Sequence, residues 1–301
     1  MNPRPLDILD LPSLYRFRDA VISLDSTRLL TRGNPLGAVG FLSYFNPSRH
    51  LYSAISSDSN GAVMGGVVQS NGDSFAKLVY LAPGSNVHHP AMSQLVDHLS
   101  SEAGNWGAFH LLAEVEESND VFPVLRQAGF SVYAWQRMWN ISHVLPSETQ
   151  GAWDVVRSDN LHAVQSLYHQ IVPPLLQPVE PVPKLPKGLI CNQGWRCYVN
   201  IYYGLYGIVI IPLIHPEVVD VQDRFFSLIS QIPRRRGRPV YVCIRSYQAW
   251  LEPVLEDIGG VSAPREAVMV KYLARMVKDE QKVRAANPSN VSVQPSRVSR
   301  P

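Results

Sequence analysis

Phe122-Pro-Val-Leu-Arg-Gln-Ala-Gly-Phe130 and Glu252-Pro-Val-Leu-Glu-Asp-Ile-Gly-Gly260 are two versions of one segment. Pro123, Val124, Leu125 and Gly129 recur 130 residues later as Pro253, Val254, Leu255 and Gly259. An internal repeat of this kind redirects the whole reading of a chain. Strand-like runs flank both copies, Ala108 to Val115 and Pro239 to Ile244 before them, Val132 to Ile141 and Ala267 to Leu273 after them. Further upstream, His89-Pro90 opens the apolar spacing Met92, Leu95, Val96, Leu99, and His215-Pro216 opens Val218, Val221, Phe225, Leu228. Both read as helices entered through proline, whose missing N–H is harmless in a first turn. An apolar strand precedes each, Phe75 to Leu81 and Tyr206 to Ile214. Each half also starts alike, with a short strand (Arg4 to Ile8; Trp153 to Arg157) and a helix bearing Leu11, Leu14, Arg18 and Val21, or Leu161, Val164 and Leu167. A duplicated α/β unit with a mixed α+β sheet is the economical explanation.

The joints follow from composition. Residues 1–142 form the expected first unit, 143–151 a linker without apolar period, and 152–277 the second unit. Pro173, Pro174, Pro178, Pro181, Pro183 and Pro186 punctuate a 173–187 insertion that excludes helix and interior strand, and predicts an extended surface segment. From Lys278 to Pro301 the chain turns polar, and a disordered tail is expected there. The 301 residues carry 46% apolar and 17% charged side chains with a formal charge of +2, which excludes a broadly basic nucleic-acid binder. The longest apolar run, Leu205 to Ile214, is interrupted by Pro212 and is about half a membrane span. The start of the chain lacks a basic stretch leading into an apolar core, so a cytoplasmic protein is expected, without membrane contact. Cys191, Cys197 and Cys243 are odd in number and lack metal-ligand spacing, and read as buried, idle thiols.

Read together, these motifs resemble the GNAT acyltransferase superfamily over both halves up to about Met276. The best local match is Asn119 followed ten residues later by Gly129-Phe130, supported by Arg4-Pro-Leu-Asp-Ile8 and by Met64-Gly-Gly-Val-Val68 facing Lys77-Leu-Val-Tyr-Leu81. The resemblance implies two GNAT-like domains in tandem, and transfer of an acyl group from acetyl-CoA to a small-molecule or peptide amine. It further implies that backbone groups of Val79, Tyr80 and Leu81 pair with a pantetheine arm along an opened sheet edge.

The residues depart from that pattern. The phosphate loop would be arginine or glutamine, two residues, glycine, one residue, then glycine or alanine; Pro83-Gly-Ser-Asn-Val-His-His-Pro-Ala91 lacks it. Gly84, Ser85 and Asn86 can still wrap an anion with N–H groups. In the second half Glu217 would fill the first helical turn with negative charge and turn phosphate away. The usual glutamate base is missing from the fourth strand, which leaves Glu114, Glu116 and Glu117 as alternatives to deprotonate the amine, Glu114 first among them. The usual tyrosine acid is Leu125 in one copy and Leu255 in the other, so Tyr133 or Tyr80 must serve. Activity is therefore expected in the first half, and the alternative is a catalytically silent tandem fold used as a binding module.

Other signals are weaker. Arg234, Arg235, Arg236 and Arg238 form a patch suited to phosphate or RNA, although a solvated loop is the plainer reading and nucleic acid is not expected as a partner. His88 and His89 lack companion ligands, so no metal is expected. Trp195, Tyr198, Tyr202, Tyr203 and Tyr206 fit a half-buried antiparallel strand. No nucleophile elbow, P-loop or dinucleotide fingerprint is present.

Overall fold

The repeated segment folds the same way in both copies. It forms the helices α4 (Val121–Gln127) and α7 (Glu252–Asp257), whose shared leucines Leu125 and Leu255 have no exposed surface. Gly129 and Gly259 follow with φ of 88° and 89°, a left-handed conformation that favours glycine. Each terminus is closed by the same two bonds: Gly129 N–H to Arg126 and Phe130 N–H to Leu125, Gly259 N–H to Glu256 and Gly260 N–H to Leu255.

The computed structural model describes residues 3–37, 49–58, 61–70, 73–145, 153–182, 188–191, 194–232 and 235–273. The first half contributes β1 (Arg4–Pro5), β2 (Ile22–Ser23), β3 (Arg49–Asp58), β4 (Gly61–Ser70), β5 (Phe75–Ala82), β6 (His110–Glu116) and β7 (Ser131–Asn140). The second contributes β8 (Trp153–Val155), β9 (Gly188–Cys191), β10 (Cys197–Tyr203), β11 (Ile208–Ile214), β12 (Val240–Arg245) and β13 (Val261–Tyr272). Among the described residues they join one mixed sheet in the order β1-β3-β4-β5-β6-β13-β7-β12-β11-β10-β9-β8, with β2 beside β5. The closing strands are exchanged. β13 lies between β6 and β7, with Val268 facing both Glu114 and Ala134, while β7 pairs onward with β12 at Met138 and Cys243.

Helices cover both faces. On one, α3 (Pro90–Asn105) buries Met92, Leu95, Val96 and Leu99 with α4 over the first half, and α6 (Val221–Gln231) buries Val221, Phe225 and Leu228 with α7 over the second. On the other, α1 (Leu11–Phe17) packs through Leu14 on Ile55, Met64 and Val79, and α5 (Leu161–Ile171) packs through Val164 and Leu167 on Ile190 and Tyr198. α2 (Ser26–Arg32) crosses between the halves, where Tyr206 N–H bonds to Thr31 O and Gly204 abuts the same carbonyl.

Two expectations need correction. α6 starts at Val221, because Asp220 takes a left-handed φ of 58° and breaks the spacing that Pro216 and Val218 had suggested. Glu217 therefore sits before the helix, bonded to Arg196 at 2.6 Å. The described part of the proline-rich segment, 173–182, is also no mere surface strand: Val179 is 1% exposed and packs on Leu112, Val270, Phe75 and Tyr133. Arg234, most of the 143–151 linker, positions 183–187 and the 278–301 tail lie outside the described residues.

Candidate active site

The site begins where two parallel strands part. β5 and β6 pair only from Phe75 with His110 to Lys77 with Leu112. On the other edge of β5 the register jumps, Gly66 facing Tyr80 and Val67 facing Leu78, so Val79 is an extra, bulged residue. A bulge bends and twists its strand, which turns β5 away from β6 and opens a wedge. β11 and β12 part likewise after Ile210 and Val242, without a register jump between β10 and β11.

The chain's own residues 22–24 fill the first wedge. Ile22 and Ser23 pair with Leu81 and Tyr80. Leu24 N–H then bonds to Val79 O and Leu24 O accepts from Glu114 N–H, each at 2.8 Å, so this residue bridges both walls. Its side chain, 1% exposed, joins the main core of the first half. At the mouth Ile22 lies against Gly84, where an added Cβ would stand 3.3 Å from it. Around them Glu116, Ser118, Asn119 and Asp120 line a cleft of about 410 Å³.

At the inner end the wedge meets a largely buried cluster of polar side chains drawn from both halves. Lys77 Nζ stands 3.2 Å from Asp25 Oδ1 and 3.6 Å from Glu114 Oε1. Glu114 Oε2 accepts Ser26 N–H at 2.8 Å, and Ser26 Oγ donates to Glu266 at 2.7 Å. From the second half Arg245 reaches in, its Nε 3.0 Å from Glu180 Oε1 and its Nη2 4.0 Å from Glu114 Oε1. Glu180 also accepts the hydroxyls of Tyr133 at 3.0 Å and Tyr247 at 2.8 Å. Its carbonyl accepts the Tyr168 hydroxyl, which pins the proline-rich segment to α5. Gln136 of β7 takes Arg245 Nη1 and the Cys243 thiol on its Oε1 and donates to Glu266 at 2.6 Å. Tyr202, 42% exposed, lies within electrostatic reach of Lys77 and Asp25.

Burial and charge oppose each other here. Burial disfavours the Lys77 ammonium, but Asp25 and Glu114 outweigh it and raise its pKa. Burial pulls Asp25 upward, while Lys77 and the Arg28 N–H more than reverse this and leave it lowered. Glu266 is raised by burial and by neighbouring Glu114. Burial raises Tyr133 well above its ordinary range, against Arg245 and with Glu180 adding to it, so its proton stays on the oxygen.

No protein-family model and no curated protein matches the sequence. Solved structures do match the fold. A GCN5-related N-acetyltransferase from Sphaerobacter thermophilus superposes with a TM-score of 0.56 over 91% of this chain and 97% of its own, at 11% identity. A tandem GNAT protein from the clavulanic acid biosynthesis pathway gives 0.50 over 91% and 99%, at 13% identity. The chain carries a tandem GNAT fold.

On this GNAT framework the expected residues fall into two groups. Glu114 and Tyr133 come together in the polar cluster between the halves, linked through Arg245 and Glu180. Gly84, Ser85, Asn86 and Asn119 gather at the mouth of the first wedge, away from that cluster. Asn119 Oδ1 accepts Val121 N–H at 3.0 Å, as the cap of α4. In the described conformation an acyl-CoA does not fit the first wedge. The backbone of Val79, Tyr80 and Leu81 is engaged by residues 22–24. The start of α3 offers little to a phosphate, since Pro90 has no N–H, Ala91 N–H is taken by the His89 imidazole and Met92 N–H by the His89 carbonyl. Glu116 and Asp120 add negative charge.

The remaining signals resolve as structure. Arg235 donates to Ser142 O at 2.7 Å and Arg238 to Gly204 O at 2.6 Å, so these two guanidinium groups tie loops together. All three cysteines are buried and none forms a disulfide among the described residues, and burial pushes the Cys243 thiol up to about 12. Among the described residues no group of His, Cys, Asp or Glu is placed to hold a metal, and no helix is long and apolar enough to cross a membrane. Lys77, Arg245, Glu180, Asp25 and Glu266 were not singled out from the sequence. Two of them had a signal, being lone cations in apolar strands: Lys77 in Phe75–Ala82 and Arg245 closing Val240–Arg245.

Proposed function

We propose that the chain transfers an acyl group from an acyl-CoA, acetyl-CoA in the first instance, to a small-molecule or peptide amine, with the chemistry at the polar cluster between the halves. The charge of that cluster supports the reading most directly. Asp25, Glu114, Glu180 and Glu266 face three cations, Lys77, Arg245 and Arg28, an excess of one carboxyl that attracts a cationic amine. Such an amine must lose a proton before it is nucleophilic. Glu114 stands where the wedge meets the cluster and is the group that takes the proton. Tyr133 keeps its own proton on the oxygen and donates it to Glu180 in this conformation; with the donor bound, the hydroxyl turns from Glu180 to protonate the leaving thiolate. The donor supplies the activated acyl carbon and enters along Val79, Tyr80 and Leu81, with Gly84, Ser85, Asn86 and Asn119 at the entrance, once residues 22–24 have left. On this reading the activity belongs to the first unit, 1–142, with 152–277 completing the acceptor side.

The test is thiol release from acetyl-CoA over a panel of primary amines. The expected result is turnover that falls about 10²- to 10⁴-fold in Glu114→Gln, the range of a lost general base. Turnover unaffected by that substitution would remove Glu114 from the role. The filled wedge is the observation behind a second reading, a silent GNAT fold that binds a partner, which the acyltransferase neighbours do not favour. It predicts no heat and no thermal shift with acetyl-CoA at millimolar concentration.

A further inference from the structure

We infer that residues 22–26 form a strap that seals the donor wedge and exchanges with the donor, so that seating of the strap and binding of an acyl-CoA exclude one another. The inference rests on the acyl-transfer reading and adds its control. The strap is held chiefly through backbone: Ile22 and Ser23 against Leu81 and Tyr80, Leu24 between Val79 O and Glu114 N–H. An extended chain carrying amides, such as a pantetheine arm, offers donors and acceptors of the same kind to the same walls.

The occupant is an imperfect one. The Ser23 hydroxyl is buried in the wedge and finds no partner, a defect that costs the seated state. Within the wedge proper Leu24 is the apolar anchor, while Ile22 and Ser23 are only partly covered; Asp25 and Ser26, at the inner end, are buried as well. The strap also restrains the chemistry. Its last residues give Asp25 to Lys77, Ser26 N–H to Glu114 and Ser26 Oγ to Glu266. Withdrawal of the strap frees Glu114 Oε2 and takes Asp25 from Lys77, which keeps Glu114 Oε1 at 3.6 Å, so the wedge opens and one oxygen of the proton acceptor is released in one movement.

The experiment uses the full chain. Wild type and Leu24→Ala are titrated with acetyl-CoA by calorimetry, and hydrogen exchange of the Leu24 and Ser26 amides is followed in the wild type with and without the ligand. The expected results are binding at least 10-fold tighter in Leu24→Ala, whose strap has lost its anchor, and faster exchange of both amides when ligand is bound. If Leu24→Ala does not fold, the exchange measurement decides alone. Equal affinity in the two proteins, with Leu24 and Ser26 still protected in the complex, overturns the strap and leaves the acyl-transfer reading standing. Absence of binding to either protein overturns both.

Discussion

Replacing Glu180 by alanine tests whether the proline-rich segment is a built part of the cluster. Glu180 accepts Arg245 Nε at 3.0 Å, the Tyr133 hydroxyl at 3.0 Å and the Tyr247 hydroxyl at 2.8 Å. The carboxylate and guanidinium side chains are 15% and 13% exposed, so the pair is largely removed from water. Removing one member of a buried pair typically costs about 3–5 kcal/mol, because the other charge stays behind without its partner. Arg245 retains Glu114 at 4.0 Å and the Gln136 carbonyl, which trims the loss. The expected destabilisation is about 2–4 kcal/mol, or roughly 3–7 °C in Tm for a cooperative unit of this size. Urea unfolding of Glu180→Ala, Arg245→Met and the double variant forms a cycle, and a coupling above about 1 kcal/mol is expected between residues that share a network. A loss below about 0.5 kcal/mol in Glu180→Ala, with no coupling, would mean that the segment is solvated and that Tyr133 is not held by it.

Other expectations concern the same cluster. Glu266 has its folded pKa raised above the ordinary 4.5 by burial and by Glu114. Its contribution is thus fully present below about 4.5 and lost as the pH rises through the folded value, where an unfavourable buried charge forms. Glu266→Gln, which can still meet Ser26 and Gln136, should raise the urea midpoint at pH 8 and leave it nearly unchanged at pH 4; the opposite order would refute the shift. Gly204→Ala would set a Cβ 1.9 Å from the Thr31 carbonyl oxygen, so α2 must move off the β10–β11 turn. A destabilisation of about 2–3 kcal/mol is expected in denaturant melts, in the range of overpacking; near-neutral stability would show that α2 is not docked there.

The parts legible in the sequence are those written in local pattern. The Pro-Val-Leu-x-x-x-Gly repeat encodes a capped helix without outside help, because Leu125 and Leu255 supply the apolar contact and Gly129 and Gly259 the left-handed turn. The spacing of Met92, Leu95, Val96 and Leu99 gave α3 its buried face in the same way. Pairing of distant strands is not a local property. β7 and β13 each suit either neighbour, and nothing within them announces that β13 settles between β6 and β7. Residues 22–24 are too few to show a period, and their insertion depends on the bend at Val79, which becomes visible only through its pairing with β4. Composition rightly excluded helix from 173–182 but could not reveal that Val179 and Glu180 face inward, since that follows from a surface that exists only after both halves have folded. Glu114, beside Glu116 and Glu117 at the end of its strand, and Tyr133 were reached as substitutes for a base and an acid missing from their usual places, whereas Glu180, placed among prolines, resembled an ordinary loop residue.

The exchange of closing strands bears on how the molecule is made. While the polypeptide emerges from the ribosome, β6 has no permanent neighbour on its outer edge until Val261–Tyr272 has been synthesised, nearly 150 residues after His110–Glu116. Productive maturation thus waits for the last strand, slowed by so distant a contact. A nascent chain stalled before that strand would expose an unsatisfied edge that neighbouring chains can capture.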